Sequence, residues 1–176
     1  IEIEGRRKFI AQIGLGIAAI PFTGFLYGIL KGKYDFKIHK QSLTFTDLPS
    51  EFHGLKIVQI SDFHSGSFDN IEAVARGVKM MQDQNPDLIL FTGDLVNNLA
   101  EEIEPYKHLL KDLYAPMGKF AVLGNHDYGE YVNWKSQEEK LENTESIKLH
   151  LADMGFSVLN NQRISLRRNE EEIQIV

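Results

Sequence analysis

KIVQISDFH (56–64), DLILFTGD (87–94) and KFAVLGNHD (119–127) follow one plan. Each begins as a short apolar run and breaks off into Gly, Asp, Asn or His. KIVQI, DLILF and KFAVL have the length and β-branched or aromatic content of buried strands. Between the runs lie stretches with helical character. IEAVARGVKMMQDQ places Ile71, Val74, Val78 and Met81 on one face, with Asn70 in position to cap it. EEIEPYKHLLKDL is a less regular helix because Pro105 interrupts it. Strand alternating with helix predicts a layered α/β domain with a largely parallel sheet.

In such sheets ligands collect beyond the carboxyl ends of the strands, where all three polar clusters fall. Asp62 and Asp94 are 32 residues apart, and Asp94 and Asn125 are 31 apart, each about one βαβ unit. The spacing therefore predicts that the clusters share one sheet edge. Singly, each has an ordinary reading: D-F-H as a turn or helix cap, G-D as a strand end, G-N-H-D as an Asx-turn loop. Jointly they bring carboxylates, two imidazoles and an amide oxygen, a donor set suited to divalent Mn, Fe or Zn. Two cations a few ångströms apart need a shared anionic ligand, and an Asp can bridge them. Such a pair activates water and clamps a phosphoryl group.

Flanking segments read more simply. SLTFTDL (42–48) alternates like a short strand. SQEEKLENTESIKLHLADMGF reads as a helix closed by Gly155, and SVLNNQRISL with EEIQIV as a hairpin turning at the Glu run 170–172. Ser65-Gly66-Ser67 fits either a phosphate-facing entrance or a plain turn. Tyr128, Tyr131 and Trp134 fit either an aromatic lip or loop packing. His150 falls on a solvated helix face, and His39, His53 and His108 lack a strand-end setting.

Phe9 to Leu30 contains 22 residues without a charge, bounded by Arg6, Arg7 and Lys8 before and Lys31 and Lys33 after. That length crosses a hydrocarbon core as a helix, and the basic flanks mark its limits. The competing reading is a buried core helix softened by Gln12, Pro21 and Thr23. GRRKFI also resembles a twin-arginine signal, but no A-x-A-like cleavage site follows, which favours a retained anchor. The first 40 residues carry seven Lys/Arg against three Asp/Glu, whereas the remainder carries 12 against 22. An acidic body argues against nucleic acid as a partner. Cysteine is absent, so any metal must be held by oxygen and imidazole.

DFH, GDLV and GNHD resemble, in order and spacing, the first three signature blocks of the calcineurin-like metallophosphoesterases, from about Leu55 to Tyr128. GRRKF, YGILKGKYDFKIHK, SDFHSGSFDN, FTGDLVNN and VLGNHDYGEYVNW are similar to a bacterial, membrane-anchored branch of that family. This branch resembles enzymes acting on UDP-diacylglucosamine in lipid A synthesis and related cell-envelope phosphoesterases. The resemblance implies the first half of an αββα sandwich of two mixed sheets flanked by helices, preceded by a transmembrane helix. It divides the chain into an anchor (1–33), a linker with a first strand (34–54) and the N-terminal part of the phosphoesterase domain (55–176).

By the same resemblance, Asp62 and His64 hold one metal, Asp94 bridges two, and Asn125 holds the second through its side-chain oxygen. His126 contacts the phosphate and protonates the leaving oxygen, and Asp127 orients that imidazole. The implied activity is hydrolysis of a phosphoester or pyrophosphate by a hydroxide that two divalent cations activate. The implied substrate is a phosphate ester, for which the anchor favours a lipid-linked one, and the implied location is the bacterial inner membrane. Two later histidine blocks of the family, the last of form G-H-x-H, do not occur before Val176. The chain is therefore expected to be part of a longer protein carrying about half of a dimetal site. A catalytically silent binding module that keeps half of the fold is the alternative.

Overall fold

The computed structural model describes residues 2–176, in two compact units divided between Lys37 and Ile38. The first unit is dominated by helix α1 (Glu2–Leu30), followed by a 3-10 turn at Gly32–Tyr34. Pro21 lies inside α1, and the nearby Thr23 hydroxyl donates back to the carbonyls of Ala19 (2.9 Å) and Ile20 (3.0 Å). Phe9, Leu15, Ile17, Ile20, Phe22 and Phe25 are all exposed. The helix is long and apolar enough to cross a membrane.

The second unit is built on a four-stranded, all-parallel sheet in the order β1 (Ile57–Ile60), β2 (Leu88–Phe91), β3 (Lys119–Ala121), β4 (Ser157–Val158). Helix α2 (Ile71–Gln82) joins β1 to β2. A 3-10 segment (Ala100–Tyr106) and α3 (Lys107–Lys111) join β2 to β3, and α4 (Gln137–Asp153) joins β3 to β4. As expected, the Asn70 side chain caps α2, accepting the Ala73 N–H at 2.9 Å. The buried stripe of α2 is Ala73, Val74, Gly77 and Val78, with Ile71 exposed. The Ser136 hydroxyl caps α4 by accepting the Glu139 N–H, and Gly155 closes it at φ +85°.

Pro105 confines the second connection to a 3-10 turn before the short α3. The carbonyls at the end of α3 are taken by the ammonium of Lys119, which donates to Leu110 (3.1 Å) and Lys111 (3.3 Å) over the ring of Phe156. Burial lowers the pKa of that lysine.

Strand β2 is central and apolar on both faces, as parallel strands must be. Leu88 belongs to a cluster with Phe52 and Leu166, against which Leu90, Phe120, Ile164, Ile173 and Ile175 pack. The antiparallel hairpin β5 (Ile164–Arg168) and β6 (Glu171–Ile175) covers this face. The opposite face, with Ile89, Phe91 and Ala121, is buried toward the helices. Helices, parallel sheet and hairpin thus form the expected α/β layers.

Three local expectations are corrected. SLTFTDL forms no strand: Leu43 and Phe45 are exposed, and no described segment pairs with it. Alternation becomes a strand only where the backbone finds a hydrogen-bonding neighbour. SVLNNQRISL is not one hairpin arm. Ser157–Val158 joins the parallel sheet beside β3, and only Ile164–Arg168 pairs with β6. The hairpin turns at Asn169 and Glu170, because Asn169 adopts φ +51°, a conformation asparagine tolerates; Glu171 and Glu172 are strand residues.

Candidate metal centre

The parallel register aligns the carboxyl ends of β1 and β2, pairing Ile60 with Phe91. The backbone pairing then continues past the strands. The N–H groups of Asp62, His64 and Ser65 donate to the carbonyls of Gly93 (3.1 Å), Asp94 (2.9 Å) and Leu95 (3.0 Å). This lays the first cluster against the second. The third arrives through glycine: a Cβ on Gly93 would strike the backbone of Gly124, and a Cβ on Gly124 would strike Asp94. Glycine at these two positions lets the β2 and β3 loops touch backbone to backbone.

Asp62, His64 and Asp94 each present a ligand atom within 4.8 Å of the others. His64 Nε2 stands 4.0 Å from Asp62 Oδ1 and 4.0 Å from Asp94 Oδ2, too far for hydrogen bonds and close enough for a shared cation. Asp94 is buried, and its Oδ1 accepts the His126 N–H at 2.9 Å. Its two oxygens are thereby divided between backbone and cluster. All three residues are left-handed, at φ +53°, +46° and +59°. The other non-glycine residues in that region, Asn85, Asn161 and Asn169, are asparagines. Strained Asp and His converging on one point, with two carboxylate oxygens and an imidazole nitrogen turned together, fit a divalent cation.

Asn125 is exposed on the adjoining loop, and its Nδ2 donates to the Tyr131 hydroxyl at 2.8 Å. The ring of His126 stands edge-on to that of His64, with centroids 4.6 Å apart. His126 Nδ1 lies 2.7 Å from the carbonyl of Asn97, which can only accept. That nitrogen therefore carries the hydrogen, leaving Nε2 as the one that exchanges a proton.

Asp127 departs from the role expected of it. It is fully buried, and its carboxylate accepts the N–H groups of Asp94 (2.8 Å), Leu95 (2.8 Å), Val96 (3.3 Å) and Gly124 (2.9 Å). The imidazole's partner is instead the Asn97 carbonyl. Asp127 is a bracket that fastens the β2 loop to the β3 loop. Burial raises its pKa, against four N–H donors that pull the other way.

Several supporting residues carried no sequence signal. Glu102 accepts the N–H groups of Asn97 (2.6 Å), Asn98 (3.2 Å) and Leu99 (3.0 Å), ordering the loop whose carbonyl holds His126. Asn143 of α4 donates to the Asn98 carbonyl and accepts the Ala100 N–H. Ser65-Gly66-Ser67 is a 3-10 turn. Ser67 bonds Asn97, and Gly66 packs against Glu102. Ser65 is buried, and its hydroxyl has no partner among the described residues.

Trp134 donates to the Gly129 carbonyl at 2.7 Å, which is loop packing, whereas Tyr131 stacks on His126. His39, His53, His108 and His150 lie outside the cluster. His150 is half-buried, not solvated, with Nδ1 3.5 Å from Glu104.

Known proteins place this arrangement. The calcineurin-like phosphoesterase pattern matches residues 55–170, and the transmembrane domain of probable calcineurin-like phosphoesterases matches residues 1–33. The chain belongs to the calcineurin-like phosphoesterase family, whose members use divalent metal.

The chain is 32% identical over 135 residues to the uncharacterized metallophosphoesterase YkuE of Bacillus subtilis, covering 72% of this chain and 46% of that protein. It is 43% identical over 91 residues to the UDP-2,3-diacylglucosamine pyrophosphatase LpxG of Chlamydia trachomatis, covering 49% of this chain and 28% of that one. YkoQ of Bacillus subtilis is 27% identical over 166 residues, covering 92% of this chain and 57% of that protein. The chain spans about half or less of the length of these relatives. The matched transmembrane domain and the exposed apolar α1 together indicate membrane anchoring.

Proposed function

We propose that the intact protein is a membrane-anchored hydrolase of phosphoester or pyrophosphate bonds, with a two-cation centre at this sheet edge. The observation that carries this reading is the convergence of Asp62, His64 and Asp94, all in left-handed backbone, with His126 against them. Asp62 and His64 would hold one cation, Asp94 both, and Asn125 the second through Oδ1. Those cations would supply Lewis-acid charge at the phosphoryl group and an activated water.

The chain's own residues do the rest. Asn97 keeps the His126 proton on Nδ1, so Nε2, once protonated, serves the leaving oxygen as general acid. Asp127 holds the β2 and β3 loops at fixed separation, so Asp94 and His126 keep their spacing.

The apolar helix would keep the domain at a bilayer, in the inner membrane of a bacterium. With the likeness to a protein named UDP-2,3-diacylglucosamine pyrophosphatase, this favours a lipid-linked substrate. Asp94→Asn in the intact protein tests the reading. Hydrolysis of bis(p-nitrophenyl) phosphate with Mn²⁺ should fall by about 10³-fold or more, as expected when a cation-bridging charge is lost. Activity retained within tenfold would overturn the bridging role. Mn²⁺ binding by the unmutated protein without hydrolysis of any ester would favour the silent module.

A further inference from the structure

We propose that Tyr131 is a positioning residue of this centre, setting both the Asn125 amide and the His126 imidazole; the inference rests on the phosphoesterase reading above. Tyr131 is 64% exposed, yet both ends of its side chain are engaged. Its ring stacks on His126 with centroids 4.6 Å apart and planes 30° apart. Its hydroxyl accepts Asn125 Nδ2–H at 2.8 Å. One exposed phenol thus touches two residues of the GNHD block, of which His126 stands against His64 and Asn125 is the expected ligand of the second cation.

The chemistry explains why such a group is needed. A carboxamide has one end that binds a cation and one that repels it, and the two differ only by a rotation. An exposed asparagine without a partner presents either end. With Nδ2 bonded to the Tyr131 oxygen, as here, Oδ1 is left free for a cation, and once a cation holds Oδ1 the phenol secures the other end. The imidazole poses the same problem in another form. The Asn97 carbonyl fixes one atom of His126, about which the ring can still tilt. The Tyr131 ring stacked on it and the His64 ring perpendicular to it restrict that freedom.

The loop carrying Tyr131 is itself braced. Gly129 N–H donates to the His126 carbonyl at 3.0 Å. The Trp134 indole donates to the Gly129 carbonyl and packs on that glycine, and Glu130 pairs with Lys140 at 2.7 Å. Tyr131 is therefore held in place by contacts independent of those it makes to Asn125 and His126.

The test uses the intact protein in detergent, with Mn²⁺ alone as the binding probe and bis(p-nitrophenyl) phosphate as the ester. Tyr131→Phe keeps the stacked ring and removes the acceptor. It should weaken Mn²⁺ binding by about ten- to hundredfold, with kcat recovering at saturating Mn²⁺. Tyr131→Leu removes both contacts and should add a fall in kcat of roughly tenfold, part of what a general acid contributes, that Mn²⁺ does not restore.

The decisive arm is Asn125→Asp, whose two oxygens make rotamer selection irrelevant. In that background Tyr131→Phe should cost no further Mn²⁺ affinity. An equal loss in both backgrounds, or a Tyr131→Phe protein indistinguishable from the unmutated one, would overturn the proposal while leaving the phosphoesterase reading intact. An unmutated protein that neither binds Mn²⁺ nor hydrolyses the ester would overturn both.

Discussion

The two ends of the parallel sheet use left-handed backbone for opposite purposes. At the amino end, Asn85 precedes β2 at φ +50° and Asn169 turns the hairpin at φ +51°. Several of the charges nearby are held by direct contacts. Arg168 donates to Asp87 (2.8 Å) and to the Glu51 carbonyl (3.1 Å) over the ring of Phe52, and Asp87 accepts the Lys56 N–H. Glu171 accepts from Ser50 and the Glu51 N–H. At the carboxyl ends of β1 and β2 the left-handed residues are Asp62, His64 and Asp94, whose ligand atoms face one another at distances too long to bond. Asparagine and aspartate enter that conformation at similar, low cost, so the strain at the carboxyl end falls chiefly on the bulkier His64. One end is a closed clasp; the other holds strained side chains toward a charge they are built to share.

If that contrast is right, what maintains the strain is Asp127, and removing it should produce the largest stability change. Asp127→Ala leaves the buried N–H groups of Asp94, Leu95, Val96 and Gly124 without acceptors. Charge-assisted bonds of this kind contribute individually about 1.5–3 kcal/mol, so the net loss should be at least about 3 kcal/mol. Asp127→Asn should fare little better. Each carboxylate oxygen takes two of the four N–H groups, so the amide nitrogen must face donors in either rotamer. Urea unfolding of the intact protein in detergent measures both. A loss under about 1 kcal/mol, below that of a single such bond, would show that the loops hold without the bracket.

The contrast sharpens with glycine at matched positions. His64→Gly relieves a left-handed histidine, and after glycine's greater unfolded-state entropy should still stabilise the metal-free protein by about 0.5–1 kcal/mol. Asn169→Gly should change stability by only a few tenths of a kcal/mol, about the scale of an asparagine's tolerance for this region. Mn²⁺ should reverse the ranking, raising the melting temperature of the unmutated protein and not that of His64→Gly. Equal effects of the two glycines would mean that the carboxyl end stores no more strain than an ordinary turn.

The sequence made much of this architecture readable, for identifiable reasons. β1, β2 and β3 and their polar ends were legible because a buried parallel strand needs an unbroken apolar run, and breaking it with Gly, Asp or His is conspicuous. The membrane helix was legible from length and flanking charge. Asp127 was misread because GNHD suggests a neighbour acting on its neighbour, while the chain turns the carboxylate inward to backbone groups 31 to 33 residues earlier. Asn97 acts through its carbonyl, which every residue possesses, so no spelling could mark it. Glu102 likewise serves backbone N–H groups. SLTFTDL carried a strand pattern without a described partner, and pattern alone does not supply one.

A pH-dependent effect lies away from both sheet ends, at His150 on α4. Its ring is half-buried and faces Lys107, Glu104 and Asp153. Burial lowers its pKa first and the Lys107 charge second, while Glu104 and Asp153 act in the opposite sense without prevailing. The folded chain therefore binds this proton less readily than the unfolded chain, whose histidine titrates near 6.5. Stability should rise with pH between the folded pKa and about 6.5, and the penalty is fully present below both values. His150→Gln should flatten that part of the profile, by at most about 1.4 kcal/mol per pH unit, the limit for one proton. Because the residue touches neither the strained loops nor the clasp, Mn²⁺ affinity should stay unchanged in this variant. A variant that lost metal binding along with the acid slope would tie α4 to the centre through Asn143 and the Asn98 loop, and the two ends of the sheet would no longer be separable from the helix layer between them.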